Sequence, residues 1–169
     1  LKVQKIYSNI MLLAPQGKGV AGMTNGKTTA VTTDGKSFSP FWSQDGTSLY
    51  YSSYADGTTQ IYRYANGKSE KITDYSLGVQ GAELSPDGNL IAFAAQVIPE
   101  IGGADGKANK DAFDKKSKNP IQAHIADELF MRHWTEYQDG KYWHIIVYNI
   151  KNKTYTDVTP GRYDSPVFS

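Results

Sequence analysis

The residues of this chain whose types could do binding chemistry are concentrated between positions 128 and 137. This segment reads Glu-Leu-Phe-Met-Arg-His-Trp-Thr-Glu-Tyr and places two carboxylates, a guanidinium and an imidazole among aromatic rings. A guanidinium such as that of Arg132 can bind a carboxylate or carbonyl group, whereas a glutamate can bind an ammonium group. We therefore expect a substrate-binding site here, formed by Arg132, Glu128, Glu136, His133 and Trp134.

The same segment also admits a purely structural interpretation. Its aromatic residues Trp134 and Tyr137, together with the nearby Trp143, could pin an insertion against the rest of the fold. Aromatic side chains bury large areas and contribute strongly to such packing. The sequence leaves both interpretations open, and binding chemistry is indicated nowhere else in the chain.

No catalytic residue, metal or cofactor is expected in this chain. It contains no Gly-x-Ser-x-Gly nucleophile elbow, and its Gly17-Lys18-Gly19 segment lacks the Lys-Ser/Thr that ends a phosphate-binding loop. His124, His133 and His144 are spaced 9 and 11 residues apart, which matches no common metal-ligand spacing. The chain has no cysteine, so disulfides and thiolate metal sites are excluded.

Composition argues against nucleic acid and membrane partners. The 18 Lys and Arg residues nearly balance the 17 Asp and Glu residues and leave a formal net charge of +1. Such a balance produces no overall field that would attract polyanions. No apolar run is long enough to span a bilayer. The first residues lack an initiator Met and a signal-peptide pattern, which is typical of an internal or processed end.

A repeated phrase indicates which fold must position the candidate site. Ser43-Gln44-Asp45-Gly46 and Ser85-Pro86-Asp87-Gly88 lie 42 residues apart within longer similar segments, and a further copy begins near Asp164. A period near 42 residues in an all-β context is the length of one four-stranded propeller blade. The sequence therefore predicts an all-β partial β-propeller of about three blade-equivalents of antiparallel strands, with one insertion that contains a short helix.

Hairpin signals divide the chain into blades. Asn-Gly and Asp-Gly pairs favour the positive φ angles of tight hairpin turns, and they occur at residues 25, 34, 45, 56, 66, 87, 105 and 139. We expect a complete blade at 37–74, with strands Phe38–Trp42, Ser48–Tyr54, Gln60–Tyr64 and Ser69–Thr73. The remaining predicted parts are a blade end at 1–35, a blade at 79–160 interrupted by an insertion at 97–141, and the start of another blade at 162–169.

The insertion divides into two parts by composition. Gly102–Pro120 is rich in Gly, Lys, Asp and Asn, which predicts a mobile surface loop. Its lysines alternate with aspartates, which favours a solvated surface over a nucleic-acid patch. Ile121–Trp134 has apolar residues at a helical spacing after Asn119-Pro120, which predicts the short helix.

Several motifs resemble the propeller of prolyl oligopeptidase-family serine peptidases, in the bacterial dipeptidyl-peptidase and acylaminoacyl-peptidase-like branch. They are, in order, Ser85-Pro86-Asp87-Gly88, Leu90-Ile91-Ala92-Phe93, Phe130-Met131-Arg132-His133-Trp134, Asp139-Gly140-Lys141, His144 and Thr159-Pro160-Gly161. The resemblance covers roughly residues 37–169. The chain departs from the usual phrases at Gln44, where Pro is common, and at Thr135, where Asp is expected.

The resemblance implies a propeller that caps a C-terminal α/β-hydrolase domain of the same parent chain. The catalytic triad belongs to that second domain, so this portion would filter peptide substrates by size and orient their N-terminal end. The alternative is a non-catalytic propeller that serves as a binding or scaffold protein of the bacterial envelope. The insertion favours the peptidase, because scaffold blades rarely need one. We expect a periplasmic or secreted location.

Overall fold

The computed structural model describes residues 7–14, 26–120, 132–133, 136–137 and 140–165. The described residues form antiparallel sheets and one short helix, which confirms the predicted all-β class and the partial propeller. The chain divides into two compact units, Leu1–Thr73 and Asp74–Ser169, each of which is described by itself.

The first unit contains one four-stranded antiparallel sheet with its strands in chain order. The strands are β3 (Ser37–Trp42), β4 (Leu49–Ser53), β5 (Gln60–Ala65) and β6 (Lys68–Lys71), close to the four strands predicted from the sequence. Strand β4 is buried at every position, as expected for an inner strand with apolar side chains on both faces.

A shorter hairpin precedes this sheet and packs on it. It pairs β1 (Met11–Ala14) with β2 (Lys27–Ala30) in antiparallel register. Ile10, just before β1, joins Leu49 and Tyr51 of β4 in a buried cluster. The apolar strand predicted within residues 1–14 is therefore present, whereas part of that predicted blade end, Gly19–Thr24, lies outside the described residues.

The repeated phrase forms the same hydrogen-bonded turn in each unit. In the second copy the Ser85 hydroxyl and the Asn89 backbone N–H donate to Oδ1 of Asp87 at 2.5 and 3.2 Å, and the Asn89 amide donates to Oδ2 at 2.8 Å. Asp45 receives the corresponding bonds in the first copy. These bonds lower the pKa of Asp87 to about 2. The aspartates are therefore engaged in turn geometry, as the repeat period predicted.

A second repeated feature is a hydrogen bond between a backbone N–H and a threonine hydroxyl that joins neighbouring strands. The backbone N–H of an isoleucine in or just before one strand donates to the hydroxyl of a threonine two residues beyond the end of the next strand, at 2.9 Å in every case. The pairs are Ile10 with Thr32, Ile61 with Thr73, and Ile145 with Thr159. Because the contact recurs in three hairpins, it identifies β1 and β2 as the third and fourth strands of a blade.

The second unit contains the other four-stranded sheet, in the order β12-β11-β8-β7. Its strands are β7 (Gln80–Leu84), β8 (Leu90–Val97), β11 (Tyr142–Asn149) and β12 (Thr154–Asp157). Strands β8 and β11 pair over eight consecutive residues, although residues 98–141 separate them in sequence. The insertion therefore leaves and re-enters the blade at adjacent strand ends, because Val97 is paired with Tyr142.

The predicted surface loop at Gly102–Pro120 is wrong, because helix α1 (Gly106–Ser117) occupies most of it. Asp105 caps the helix by accepting the Ala108 N–H at 2.8 Å. Ion pairs four residues apart, Lys107–Asp111 and Lys110–Asp114, support its exposed face. The alternating charges that suggested a solvated loop are the pairs that stabilise this helix.

The helix predicted over Ile121–Trp134 is wrong at its C-terminal end. Arg132–His133 forms a short strand, β9, which pairs with β10 (Glu136–Tyr137). A strand pairs its backbone with a neighbouring segment, so these residues cannot complete a helical turn. The rest of the predicted helix lies outside the described residues. In the part of the chain that is described, no helix combines the length and the apolar character needed to cross a membrane.

Candidate functional site

Three of the five predicted site residues lie together in the small hairpin of the insertion. Its antiparallel register places Glu136 opposite His133 and Tyr137 opposite Arg132. Glu128 and Trp134 lie outside the described residues. The hairpin thus brings Arg132, His133 and Glu136 to neighbouring backbone positions, whereas the sequence placed Arg132 and His133 on a helix.

A pocket of about 190 Å³ lies in the second unit where the insertion meets the blade. Its walls come from the segment before β7, the end of β8, helix α1 and the start of β11. Among the residues that line it are Leu77, Gln80, Gln96, Phe113, Lys141 and Trp143. The strand register explains this grouping, because Gln96 is paired with Trp143 and Gln80 with Ala94.

Among the described residues that line the pocket, Lys141 is the one with a formally charged side chain. The Lys141 ammonium lies 4.9 Å from the centre of the Phe113 ring, a cation–π contact that ties β11 to helix α1. The other lining residues are apolar or carry neutral amides. Lys141, Phe113 and Trp143 are each half-buried, so the pocket is open to solvent while the cation is partly desolvated.

Behind the pocket, a buried histidine connects the ends of the sheet. His144 is fully buried, with Nδ1 2.7 Å from Oδ2 of Asp157 and Nε2 2.8 Å from the carbonyl oxygen of Gly161. A carbonyl oxygen only accepts, so Nε2 must carry a proton. Both ring nitrogens therefore have an oxygen partner within hydrogen-bonding distance, and the Asp157 side chain is 8% exposed.

Asp157 extends this connection to the first residues of the insertion. Its Oδ2 accepts the Gly103 N–H at 2.7 Å, and its Oδ1 accepts the Thr159 N–H at 3.1 Å. The Gly103 carbonyl in turn accepts the Tyr75 hydroxyl at 2.6 Å. Burial raises the pKa of Tyr75, and the negative charge of Asp157 adds to that rise. The start of the insertion is therefore held in place by polar groups that are largely buried.

Helix α1 is fixed to the same strand ends by a buried asparagine. The Asn109 side chain accepts the Ile98 N–H at 2.7 Å and donates to the carbonyls of Gly102 and Asp105 at 2.8 and 2.9 Å. Gly106 packs against the Tyr75 ring so closely that a Cβ there would lie 2.6 Å from a ring carbon. These contacts position Phe113, and hence one wall of the pocket.

An exposed ion pair makes a further link at this end of the sheet. The Arg162 Nε donates to Oε1 of Glu100 at 2.8 Å. A hydrogen bond from its own backbone N–H and the Arg162 guanidinium lower the pKa of Glu100. The pair connects the insertion to the segment that follows β12.

The sequence patterns did not indicate that Gln80, Gln96, Phe113 and Lys141 line a pocket. Two signals could have found them. Gln96 and Lys141 flank the insertion, and strands β8 and β11 must pair up to that point. Phe113 is the one aromatic residue in the charged segment that was interpreted as a loop.

Known proteins similar to this chain include peptidases and a Tol-Pal system protein. No protein-family model matches the chain. A dipeptidyl-peptidase 4 from Giardia intestinalis is 33% identical over 89 residues, which is 48% of this chain and 12% of that protein. The uncharacterized peptidase YuxL of Bacillus subtilis (strain 168) is 25% identical over 167 residues, 96% of this chain and 23% of YuxL. The Tol-Pal system protein TolB of Francisella tularensis subsp. tularensis (strain WY96-3418) is 42% identical over 64 residues, 37% of this chain and 15% of TolB.

Among solved structures, an acylaminoacyl peptidase from Pyrococcus horikoshii has a similar fold. Its TM-score is 0.50 at 10% sequence identity, and the match covers 82% of this chain and 19% of the peptidase. With the four-stranded antiparallel sheets, this likeness defines the chain as part of a β-propeller. The sequence resemblance to the propeller part of prolyl oligopeptidase-family peptidases is also confirmed. The chain spans less than a quarter of the length of each of these relatives.

Proposed function

We propose that this chain is the propeller portion of a serine peptidase that cleaves short peptides. In this proposal the propeller controls substrate access and orients the peptide, and an α/β-hydrolase domain elsewhere in the parent chain supplies the catalytic residues. The parent protein would be a dipeptidyl or acylaminoacyl peptidase of the periplasm or the secreted fraction. Its partners would be the peptide substrate and the hydrolase domain.

The observation that carries the proposal is the extent of the similarity to the peptidase YuxL. It covers 96% of the chain and so takes in most of the insertion at residues 97–141. A similarity that rested on the repeated blade phrase alone would stop short of this segment. The insertion is the feature that a simple scaffold blade does not need, and it carries the hairpin of Arg132, His133 and Glu136.

The arrangement of the insertion supports a role in orienting substrate. The buried pair of His144 and Asp157 and the Asn109 anchor hold both α1 and the start of the insertion on the blade. Groups held on a fixed support can position a ligand at little entropic cost. The polar residues of the hairpin would then bind the charged N-terminal end of a peptide.

The test uses the full-length parent protein and two substrates that differ only at the N-terminus. We expect Glu136→Gln to raise KM about tenfold or more for a dipeptide reporter with a free amino group, since a hydrogen bond to a charged group contributes about 1.5–3 kcal/mol. The acetylated form of the same reporter should be unaffected. Glu83→Gln, at an exposed position of β7, is the matched control. Equal kinetics for Glu136→Gln and wild type on both reporters would refute the role of this residue.

A second candidate function is a non-catalytic propeller that binds partners in the bacterial envelope. The 42% identity to a Tol-Pal system protein over 64 residues favours it. The complete reading frame separates the two candidates, because the peptidase requires a Gly-x-Ser-x-Gly elbow in the hydrolase domain. A parent chain without that motif, inactive on both reporters, would favour the envelope protein.

A further inference from the structure

We propose that the pocket between helix α1 and strands β7, β8 and β11 binds a carboxylate group of a peptide, with Lys141 as its charged contact. The inference rests on the proposed function in taking a peptide as the ligand. It adds a site distinct from the Arg132–Tyr137 hairpin and names the chemistry that this site selects.

The charge of the residues that line the pocket determines the charge of the ligand that the pocket can bind. Among the described residues that line the pocket there is no Asp or Glu, and Lys141 is the single basic residue. Within the described residues, the Lys141 ammonium has no carboxylate partner, and its contact is the face of the Phe113 ring. A half-buried cation in this position attracts an anion more strongly than a fully solvated one does, because less water screens the interaction.

Two neutral amides provide further hydrogen-bonding capacity. The side chains of Gln80 and Gln96 line the same pocket, and neither makes a hydrogen bond within the described part of the chain. Each amide offers two donors and an acceptor. A peptide carboxylate placed against Lys141 could accept from these donors, and the amide oxygens could accept from peptide N–H groups.

Asp164 contacts the backbone of Trp143, one of the residues that line the pocket. Its Oδ1 accepts the Trp143 backbone N–H at 2.8 Å, and it is not a lining residue. It therefore holds the start of β11 in place and does not neutralise the pocket cation.

The volume limits the size of the bound group. At about 190 Å³ the pocket is smaller than the roughly 300–1,000 Å³ typical of sites for drug-sized ligands. It suits a single amino-acid residue whose apolar atoms contact Leu77 and Trp143 while its carboxylate meets Lys141. The carboxylate could come from an acidic side chain or from the C-terminus of the peptide.

Isothermal titration of the full-length parent protein with three blocked or free peptides tests the proposal and separates the two sources. The probes are acetyl-Ala-Asp-Ala-amide, acetyl-Ala-Asn-Ala-amide and acetyl-Ala-Ala-Ala with a free carboxylate. We expect one or both of the carboxylate-bearing probes to bind about tenfold more tightly than the asparagine probe, as a charge-assisted hydrogen bond predicts. Raising the salt concentration should reduce this preference.

The variant Lys141→Gln should abolish the preference, whereas Lys151→Gln, at an exposed position in the turn after β11, should retain it. Gln96→Glu provides a second variant that keeps Lys141 and should repel both carboxylate probes.

Equal binding of all three probes to the wild-type protein, or an unchanged preference in Lys141→Gln, would overturn the proposal. The titration measures binding and not turnover, so a protein without peptidase activity can still show the preference for carboxylate probes. Failure of the proposed function is therefore distinguishable from failure of this proposal.

Discussion

Replacing His144 by leucine should destabilise the second unit through the loss of two buried hydrogen bonds. The substitution removes hydrogen bonds of 2.7 Å to Asp157 and 2.8 Å to the Gly161 carbonyl. It also removes the imidazole partner of the Asp157 side chain, which is only 8% exposed. Leaving a buried polar group without its hydrogen-bond partner costs about 1–3 kcal/mol, a large share of the roughly 5–15 kcal/mol that stabilises a typical domain.

Hydrogen exchange of the full-length protein can measure this loss locally. The backbone N–H groups of Gly103 and Thr159 both donate to Asp157, so their protection reports on the contact. A loss of about 3 kcal/mol corresponds to an exchange rate about 100-fold faster. If these two amides exchanged within about threefold of the wild-type rate, the hydrogen bonds of His144 would contribute little and the reasoning would be refuted.

Two companion variants identify the cause of any effect. Thr156→Ala changes an exposed position next to Asp157 and should alter stability by no more than about 0.5 kcal/mol. The double variant His144→Leu/Asp157→Leu also removes the carboxyl group that has lost its partner, and it should recover part of the lost protection from hydrogen exchange. If the double variant is no better protected than His144→Leu, the loss comes from packing and not from the unpaired carboxylate.

Two further predictions concern the repeated features of the sheets. The hydroxyl of Ser85 is the main cause of the low pKa of Asp87, so Ser85→Ala should raise that pKa from about 2 toward the ordinary value of 3.8 in a carboxyl NMR titration. Because the pKa of Asp87 is lower in the folded state, the turn's contribution to stability is present above about pH 3.8 and is lost as the pH falls toward 2. If Asp87 still titrated near 2 in the Ser85→Ala variant, the assignment of the cause to Ser85 would be contradicted. Thr73→Val should lower the free energy of unfolding by about 1–3 kcal/mol, since the buried Thr73 hydroxyl accepts the Ile61 N–H and donates to Gln60. An unchanged denaturation midpoint would show that the contact is dispensable.

The sheets were predictable from the sequence because their turns repeat. Asp45-Gly46 and Asp87-Gly88 mark the same turn in two blades, and the aspartate side chains supply bonds that depend on local sequence alone. The Asp-Gly and Asn-Gly signals then bounded β3 to β6 to within a few residues. Hydrogen bonds of this kind depend on neighbouring residues and not on the tertiary structure, so the turns can be predicted before the structure is known.

Helix α1 was missed because an apolar stripe is not what secures it. Its most buried side chain is Asn109, which makes three hydrogen bonds to backbone groups that precede the helix. Hydrophobic periodicity cannot detect a helix anchored by a polar residue. The signals that were present, the Asp105 cap and the two Lys–Asp pairs, are short-range and are also common in loops.

The candidate site was predictable only in part, for a similar reason. The chemistry of Arg132, His133 and Glu136 could be inferred from residue type, but their hairpin pairing depends on backbone contacts that no periodicity indicates. The pocket depends on residues separated by up to 66 positions in the chain, from Leu77 to Trp143. Strand register brings them together, and register is a property of the whole sheet.

The eight-residue pairing of β8 with β11 has a consequence for how this protein could change over time. The two strands are paired along their whole length up to the insertion. The intervening segment is therefore a long loop that connects the ends of a complete β-hairpin. The entropy of closing a loop rises only with the logarithm of its length, about 0.6 kcal/mol for each doubling. Residues can therefore be added to or removed from this segment with little effect on the blade. Recombination or laboratory grafting at this position could exchange one recognition element for another while the β-hairpin keeps its own fold.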